Sequence, residues 1–140
     1  MLHKYGGIYA DLDYECIKNF EHIIRADKVS IGASPYSGSN FETHQNALMI
    51  SPPQHPFWET VFKFIEINKN DASVLTATGP DLIMKAIKED PNDIFTLESK
   101  LFAPNYSDDF KKATFSNYVE LPLIKDDNIC YARHYGTCQW

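Results

Sequence analysis

Asp11 and Asp13 stand two residues apart at the end of an apolar, β-prone run, Gly7-Ile8-Tyr9-Ala10, directly after the glycine pair Gly6-Gly7. In a strand, residues i and i+2 point to the same side. Both carboxylates therefore face one site if the strand continues through them. If the strand breaks there, the two can diverge, one to a metal and one to a substrate hydroxyl. Carboxylates this close repel each other, and a divalent cation relieves the repulsion. Hard oxygen donors suit Mg²⁺, Mn²⁺ or Ca²⁺. The paired glycines let a backbone or a ligand approach where a side chain would block it.

The elements that must position this pair are short and alternate in type. Residues 1–5 read as the end of a helix stopped by Gly6, and residues 7–12 as a strand. Residues 18–25 read as a short helical or irregular piece, and residues 29–33 as a strand. Residues 34–44 are rich in Ser, Gly, Asn and Pro and read as a long loop of the kind that carries function. A short apolar strand over 47–50 precedes Pro52-Pro53. Pro56 then opens a helix to about Asn68, with Phe57, Val61, Phe62 and Ile65 at helical spacing. Thr78-Gly79-Pro80 opens a second helix to about Lys88, with Leu82, Ile83, Ala86 and Ile87 inward. Asp90-Pro91-Asn92-Asp93 is a turn. Phe95-Thr96-Leu97, Leu101-Phe102, residues 118–121 and residues 128–132 read as extended. Strands alternating with helices predict an α/β fold.

The 140 residues are about one domain, and at 44% hydrophobic and 14% aromatic they can bury a core. Net charge is −6, from 13 basic and 19 acidic residues, with no basic block. The reading is no nucleic-acid partner. An acidic protein that binds an anionic ligand needs a cation or local arginines, which agrees with a metal at Asp11 and Asp13. Cys16, Cys130 and Cys138 form no C-x-x-C pair, so a reducing compartment is expected. No run approaches the roughly 20 apolar residues of a membrane span.

Rival chemistries of an acidic pair fail on neighbouring residues. A haloacid-dehalogenase-type phosphatase carries Thr or Val where this chain has Glu15, and it needs a later Gly-Asp-x-x-x-Asp motif that the sequence lacks. An EF-hand loop starting at Asp11 needs Gly at its sixth position and Glu at its twelfth; these are Cys16 and His22. As a glycosidase acid and base, two residues on one strand face lie too close together.

The string Leu2-His3-Lys4-Tyr5-Gly6-Gly7-Ile8-Tyr9-Ala10-Asp11-Leu12-Asp13 resembles the Asp-x-Asp segment of nucleotide-sugar glycosyltransferases with the GT-A fold. More narrowly it resembles family 32, which holds initiating mannosyltransferases and bacterial capsular-polysaccharide enzymes. Three later segments fit in order: Asn46-Ala47-Leu48-Met49-Ile50-Ser51 with His55-Pro56-Phe57-Trp58; Thr78-Gly79-Pro80; and Tyr131-Ala132-Arg133-His134 with Trp140. The resemblance implies a GT-A type fold, a mixed central sheet with flanking helices, forming one catalytic domain over residues 1–140. Family members carry a nucleotide-binding strand and helix before the Tyr-Gly-Gly segment, and this chain starts almost at the glycines, so a partial domain is expected.

The same resemblance implies site roles. Asp11 and Asp13 hold Mn²⁺ or Mg²⁺ on the donor diphosphate, and Asp11 also reaches the sugar or ribose. Tyr9 stacks near the nucleobase or ribose, or else fills a core edge; Gly6 and Gly7 belong to the same donor side. His134 completes the metal shell, although read alone a single His is an ordinary surface or core residue. Trp140 contacts the phosphate or the leaving group. Asn46 binds donor hydroxyls, or caps the entry of its strand. Arg133 reaches a phosphate, or is solvated. His55, Pro56 and Trp58 set a helix start and a core contact. The implied activity is a retaining hexosyltransferase that moves a sugar from a nucleoside-diphosphate sugar to a glycan or other hydroxyl acceptor, as in polysaccharide biosynthesis. The alternative is a non-catalytic remnant that binds sugar or metal. The implied setting is cytoplasmic, with peripheral membrane association compatible; a secretory lumen stays open while the N-terminal part is missing.

Overall fold

A computed structural model describes residues 1–34, 43–102 and 130–134. Most of the expected loop over 34–44, the extended piece at 118–121, Cys138 and Trp140 lie outside the described residues. Leu2–Tyr5 form one helical turn, α1, closed by Gly6 in the left-handed region at φ 66°. Strand β1 is Gly7–Ala10, β2 is Tyr14–Cys16 and β3 is Val29–Ser34, with a 3₁₀ turn over Glu21–Ile23. Strand β4 is Thr43–Ser51, longer at both ends than the strand expected over 47–50. Three helices follow: α2 over Phe57–Asn68, the single turn α3 over Val74–Ala77, and α4 over Pro80–Glu89. A second 3₁₀ turn (Pro91–Asp93), β5 (Ile94–Leu97), the single turn α5 (Ser99–Phe102) and β6 (Ala132–His134) complete the order.

Four strands form the main sheet in the order β1-β4-β3-β5. β4 runs antiparallel to both neighbours, and β3 runs parallel to β5. A parallel pair needs a long crossover, and here α2, α3 and α4 supply it. β2 and β6 make a separate antiparallel pair. The sheet is thus mixed and the fold is α/β, as the sequence predicts. The flanking helices are unequal on the two faces. On one face, Val29 and Ile31 pack against Phe57, Trp58 and Val61 of α2 and Leu82, Ile83, Ala86 and Ile87 of α4. On the other, Leu48, Ile50 and Leu97 meet Phe102 of α5 and Ala132 of β6, with Phe20 and Ile23 from the first 3₁₀ turn region beside them.

Both long helices start where proline predicts. The buried His55 accepts a hydrogen bond from the Phe57 N–H through Nδ1 at 3.3 Å, which satisfies one of the orphan donors at the start of α2. Trp58 Nε1 donates to Ser51 Oγ at 2.8 Å and ties α2 to the end of β4. Leu101-Phe102, expected to be extended, is helical. Leu101 and Phe102 donate to the Glu98 carbonyl at 2.9 and 3.1 Å, and this turn drives Phe102 fully under the sheet against Phe20 and Tyr131.

Candidate active site

The strand expected over residues 7–12 ends at Ala10. The Asp11 N–H still donates to the Ala47 carbonyl of β4 at 2.9 Å, and the chain then turns, with Tyr14 N–H donating to the Asp11 carbonyl at 3.1 Å. β4 is irregular beside this point. Between the pairs Ile31↔Met49 and Ala33↔His44, β4 advances five positions while β3 advances two. Such irregularities re-aim side chains and recur beside active sites. Asn46 lies in this stretch, half-buried and inside the strand rather than at its entry, next to the residue that holds the Asp11 backbone.

The break does not send the two carboxylates apart. One ligand atom each from Asp11, Asp13 and His134 lies within 4.8 Å of the others. His134 arrives from 121 positions along the chain (134 minus 13) because β6 pairs with β2, setting Tyr14 opposite His134 and Glu15 opposite Arg133. His134 Nε2 lies 3.3 Å from Asp13 Oδ1. Burial, the largest influence, lowers the His134 pKa, against the opposing pull of Asp13 and Asp11. The neutral imidazole is the form that ligates metals. Tyr9 is exposed, not part of a core edge, and its hydroxyl donates to Asp11 Oδ1 at 2.6 Å. That hydrogen bond first, then partial burial and the two carboxylate charges, pushes its pKa up to about 12. The phenol therefore stays a donor and holds the Asp11 carboxylate in one orientation.

The glycine pair divides. A Cβ on Gly6 would lie 2.8 Å from Pro53 N and from Ser51 O, so the β1 to β4 packing itself requires glycine there. A Cβ on Gly7 would meet nothing within 4 Å. Arg133, read from sequence as a phosphate contact or a solvated residue, is buried, and its Nη1 lies 3.3 Å from Glu15 Oε2. Sequence reading also passed over Tyr14 and Gln45. The Tyr14 ring stacks on His134 with centroids 4.6 Å apart and planes 5° apart, and its hydroxyl accepts from Gln45 Nε2 at 3.0 Å. The signal was present: Tyr14-Glu15 set against Arg133-His134 places an opposite-charge pair and an aromatic pair across one antiparallel register.

The depressed His134 pKa has a measurable consequence in metal-free protein. Between that value and the ordinary 6.5, the unfolded chain binds a proton that the folded chain refuses. Stability from this group is therefore full above pH 6.5 and is lost as pH falls through the folded value. Urea unfolding in EDTA is expected to show this acid-side loss, and His134→Asn to flatten it; equal slopes in the two proteins would contradict the assignment.

Fold and site together describe a GT-A-like α/β protein with an acidic pair at the end of a sheet strand. Residues 1–30 match the family described as a glycosyltransferase sugar-binding region containing the DXD motif. The whole chain aligns, at 31% identity over 149 residues, with the uncharacterized glycosyltransferase L373 of Acanthamoeba polyphaga mimivirus, and spans 53% of that protein's length. The chain thus covers about half of this curated relative. Among solved structures, the PaToxG glycosyltransferase shares the fold at a TM-score of 0.53 and 22% identity, over 65% of this chain and 32% of that one. These matches bear out the resemblance to DXD-containing glycosyltransferases and do not single out family 32. Among the described residues, no helix is long and apolar enough to cross a membrane.

Proposed function

We propose that this chain carries the metal and donor side of a glycosyltransferase that moves a hexosyl unit, with retention, from a nucleoside-diphosphate sugar to a glycan or other hydroxyl acceptor. The convergence of Asp11, Asp13 and His134 within 4.8 Å at the end of β1 supports this reading most strongly. The donor set fits a divalent cation: two carboxylates with hard oxygens and one buried, neutral-leaning imidazole. The imidazole favours Mn²⁺ over Mg²⁺, which prefers an all-oxygen octahedral shell. When bound, such an ion supplies neutralisation of the charge that builds on a departing diphosphate.

The chain's own residues do the rest. Tyr9 orients Asp11 through its 2.6 Å hydrogen bond. Asp13 and His134, 3.3 Å apart, supply the other two ligand atoms of the cluster, and Asn46, beside the Asp11 anchor, binds a sugar hydroxyl. The open face of Gly7 leaves room for the donor. Among the described residues, Cys16 and Cys130 form no disulfide, which supports a reducing, cytoplasmic setting.

A thermal shift series tests the proposal. A ligand present at about 100 times its Kd stabilises a fold by about 2.7 kcal/mol. Mn²⁺ together with UDP or GDP is expected to raise Tm more than Mn²⁺ alone, and His134→Ala to weaken the apparent Mn²⁺ affinity by about 100-fold or more, at or beyond the top of the range for groups that only orient a ligand. No response to metal or nucleotide would refute the transferase reading, and a response to metal alone would favour the binding remnant.

A further inference from the structure

The imidazole of His134 has an anchoring chain of its own. Tyr14 lies opposite it in the β2–β6 register and stacks on its face at 4.6 Å with the rings 5° from parallel. An antiparallel pair of three-residue strands is marginal by itself, so this stack alone fixes the ring only as well as β2 is fixed. The Tyr14 hydroxyl accepts from Gln45 Nε2 at 3.0 Å, and Gln45 belongs to β4 in the main sheet. Gln45 is held in turn: it sits over Gly32 of β3, where a Cβ would come within 3.4 Å of Nε2 and 3.6 Å of Cγ. The same irregular stretch of β4 that presents Gln45 also accepts the Asp11 N–H through Ala47. One segment thus ties both halves of the three-donor cluster to a single strand.

We infer that Tyr14 and Gln45 are positioning residues for His134, fixing the plane and height of its imidazole so that its nitrogen meets the Asp11 and Asp13 carboxylates. The inference rests on the metal reading given above. Partners behind a ligating histidine commonly change metal affinity by about 10- to 100-fold when removed. Neither side chain touches the ion in this account. Tyr14→Phe keeps the ring for the stack and removes the hydroxyl that accepts from Gln45, and Gln45→Met keeps the approximate volume and removes the amide that donates to it.

Mn²⁺ affinity, read from the free-ion paramagnetic resonance signal, is the primary measurement. Tyr14→Phe and Gln45→Met are each expected to weaken it roughly tenfold, and the double variant no further, since both break the same link. In a His134→Ala background, neither change should matter. In metal-free protein, the His134 ring nitrogen resonances should move in both single variants while Tm shifts little. Wild-type affinity in Tyr14→Phe, or an equal loss with His134 already removed, would overturn the inference and leave the metal site standing. Unmoved His134 ring signals would also overturn it. A wild-type protein that takes up no Mn²⁺, or one indifferent to His134→Ala, would overturn the metal reading and this inference with it.

Discussion

Asp13→Asn is expected to reduce Mn²⁺ affinity and metal-dependent sugar transfer by at least about 100-fold while leaving the fold intact. The substitution keeps the shape and removes one charge. Two carboxylate oxygens within 4.8 Å repel by a few kcal/mol at an effective dielectric of about 20. That stored repulsion is part of what a divalent cation relieves, so removing one charge weakens both the attraction and the reason for it. Losing about 2.7 kcal/mol corresponds to the 100-fold effect, at 1.36 kcal/mol per factor of ten. The same physics gives the variant a second signature. In EDTA, Asp13→Asn should be as stable as the wild type or more so, because the amide keeps an oxygen to accept from His134 Nε2 where Asp13 Oδ1 lies at 3.3 Å, while the repulsion with Asp11 is gone. A Tm in EDTA equal to or above wild type, joined to lost Mn²⁺ binding, separates a site effect from a folding defect. Full transfer by Asp13→Asn with EDTA present would end the metal mechanism.

The parts of this site that sequence exposes are those written in local pattern. Asp-x-Asp after an apolar run is local, as are the helix starts at Pro56 and at Gly79-Pro80, and the long strand core of Val29 and Ile31. Where the reading failed, a tertiary contact decided the outcome. β1 stops at Ala10 because the Asp11 carbonyl takes the Tyr14 N–H, so the carboxylates meet across a turn instead of along a strand face. Leu101-Phe102 coils because the Glu98 carbonyl captures both amides and Phe102 finds a pocket under the sheet. The length of β4 comes from pairing with β1 at one end and β3 at the other, which no short apolar window shows. Arg133 carries no sign of its burial in local sequence; only its register opposite Glu15 explains it. His134 was legible as a candidate through family resemblance, but its route to Asp13 depends on a pairing over more than a hundred residues.

Gly6→Ala should be among the most destabilising substitutions near the site, and the comparison with Gly7→Ala explains why. Gly6 has φ 66° and ψ −162°, a region open essentially to glycine alone that costs about 1–3 kcal/mol for other residues. The new methyl would also stand 2.8 Å from Pro53 N and Ser51 O, both backbone atoms that cannot swing aside. Forcing such a contact adds about 1–3 kcal/mol, and together the expected loss is about 2–6 kcal/mol. For a domain with about 5–15 kcal/mol of total stability, that is a large share. Gly7 has φ 105° but faces open space, so its alanine variant should lose only about 1–2 kcal/mol of backbone strain. Urea denaturation of the two variants measures the difference directly. If Gly7→Ala loses as much as Gly6→Ala, the close approach of Gly6 to Ser51 and Pro53 is not what holds β1 in register. The functional order should be the reverse for the variants that remain folded. If Gly7 lies on the donor side as proposed, a methyl there enters open space that the donor would use and should hinder nucleotide binding, whereas Gly6→Ala should act on the site only through the loosened strand that delivers Asp11.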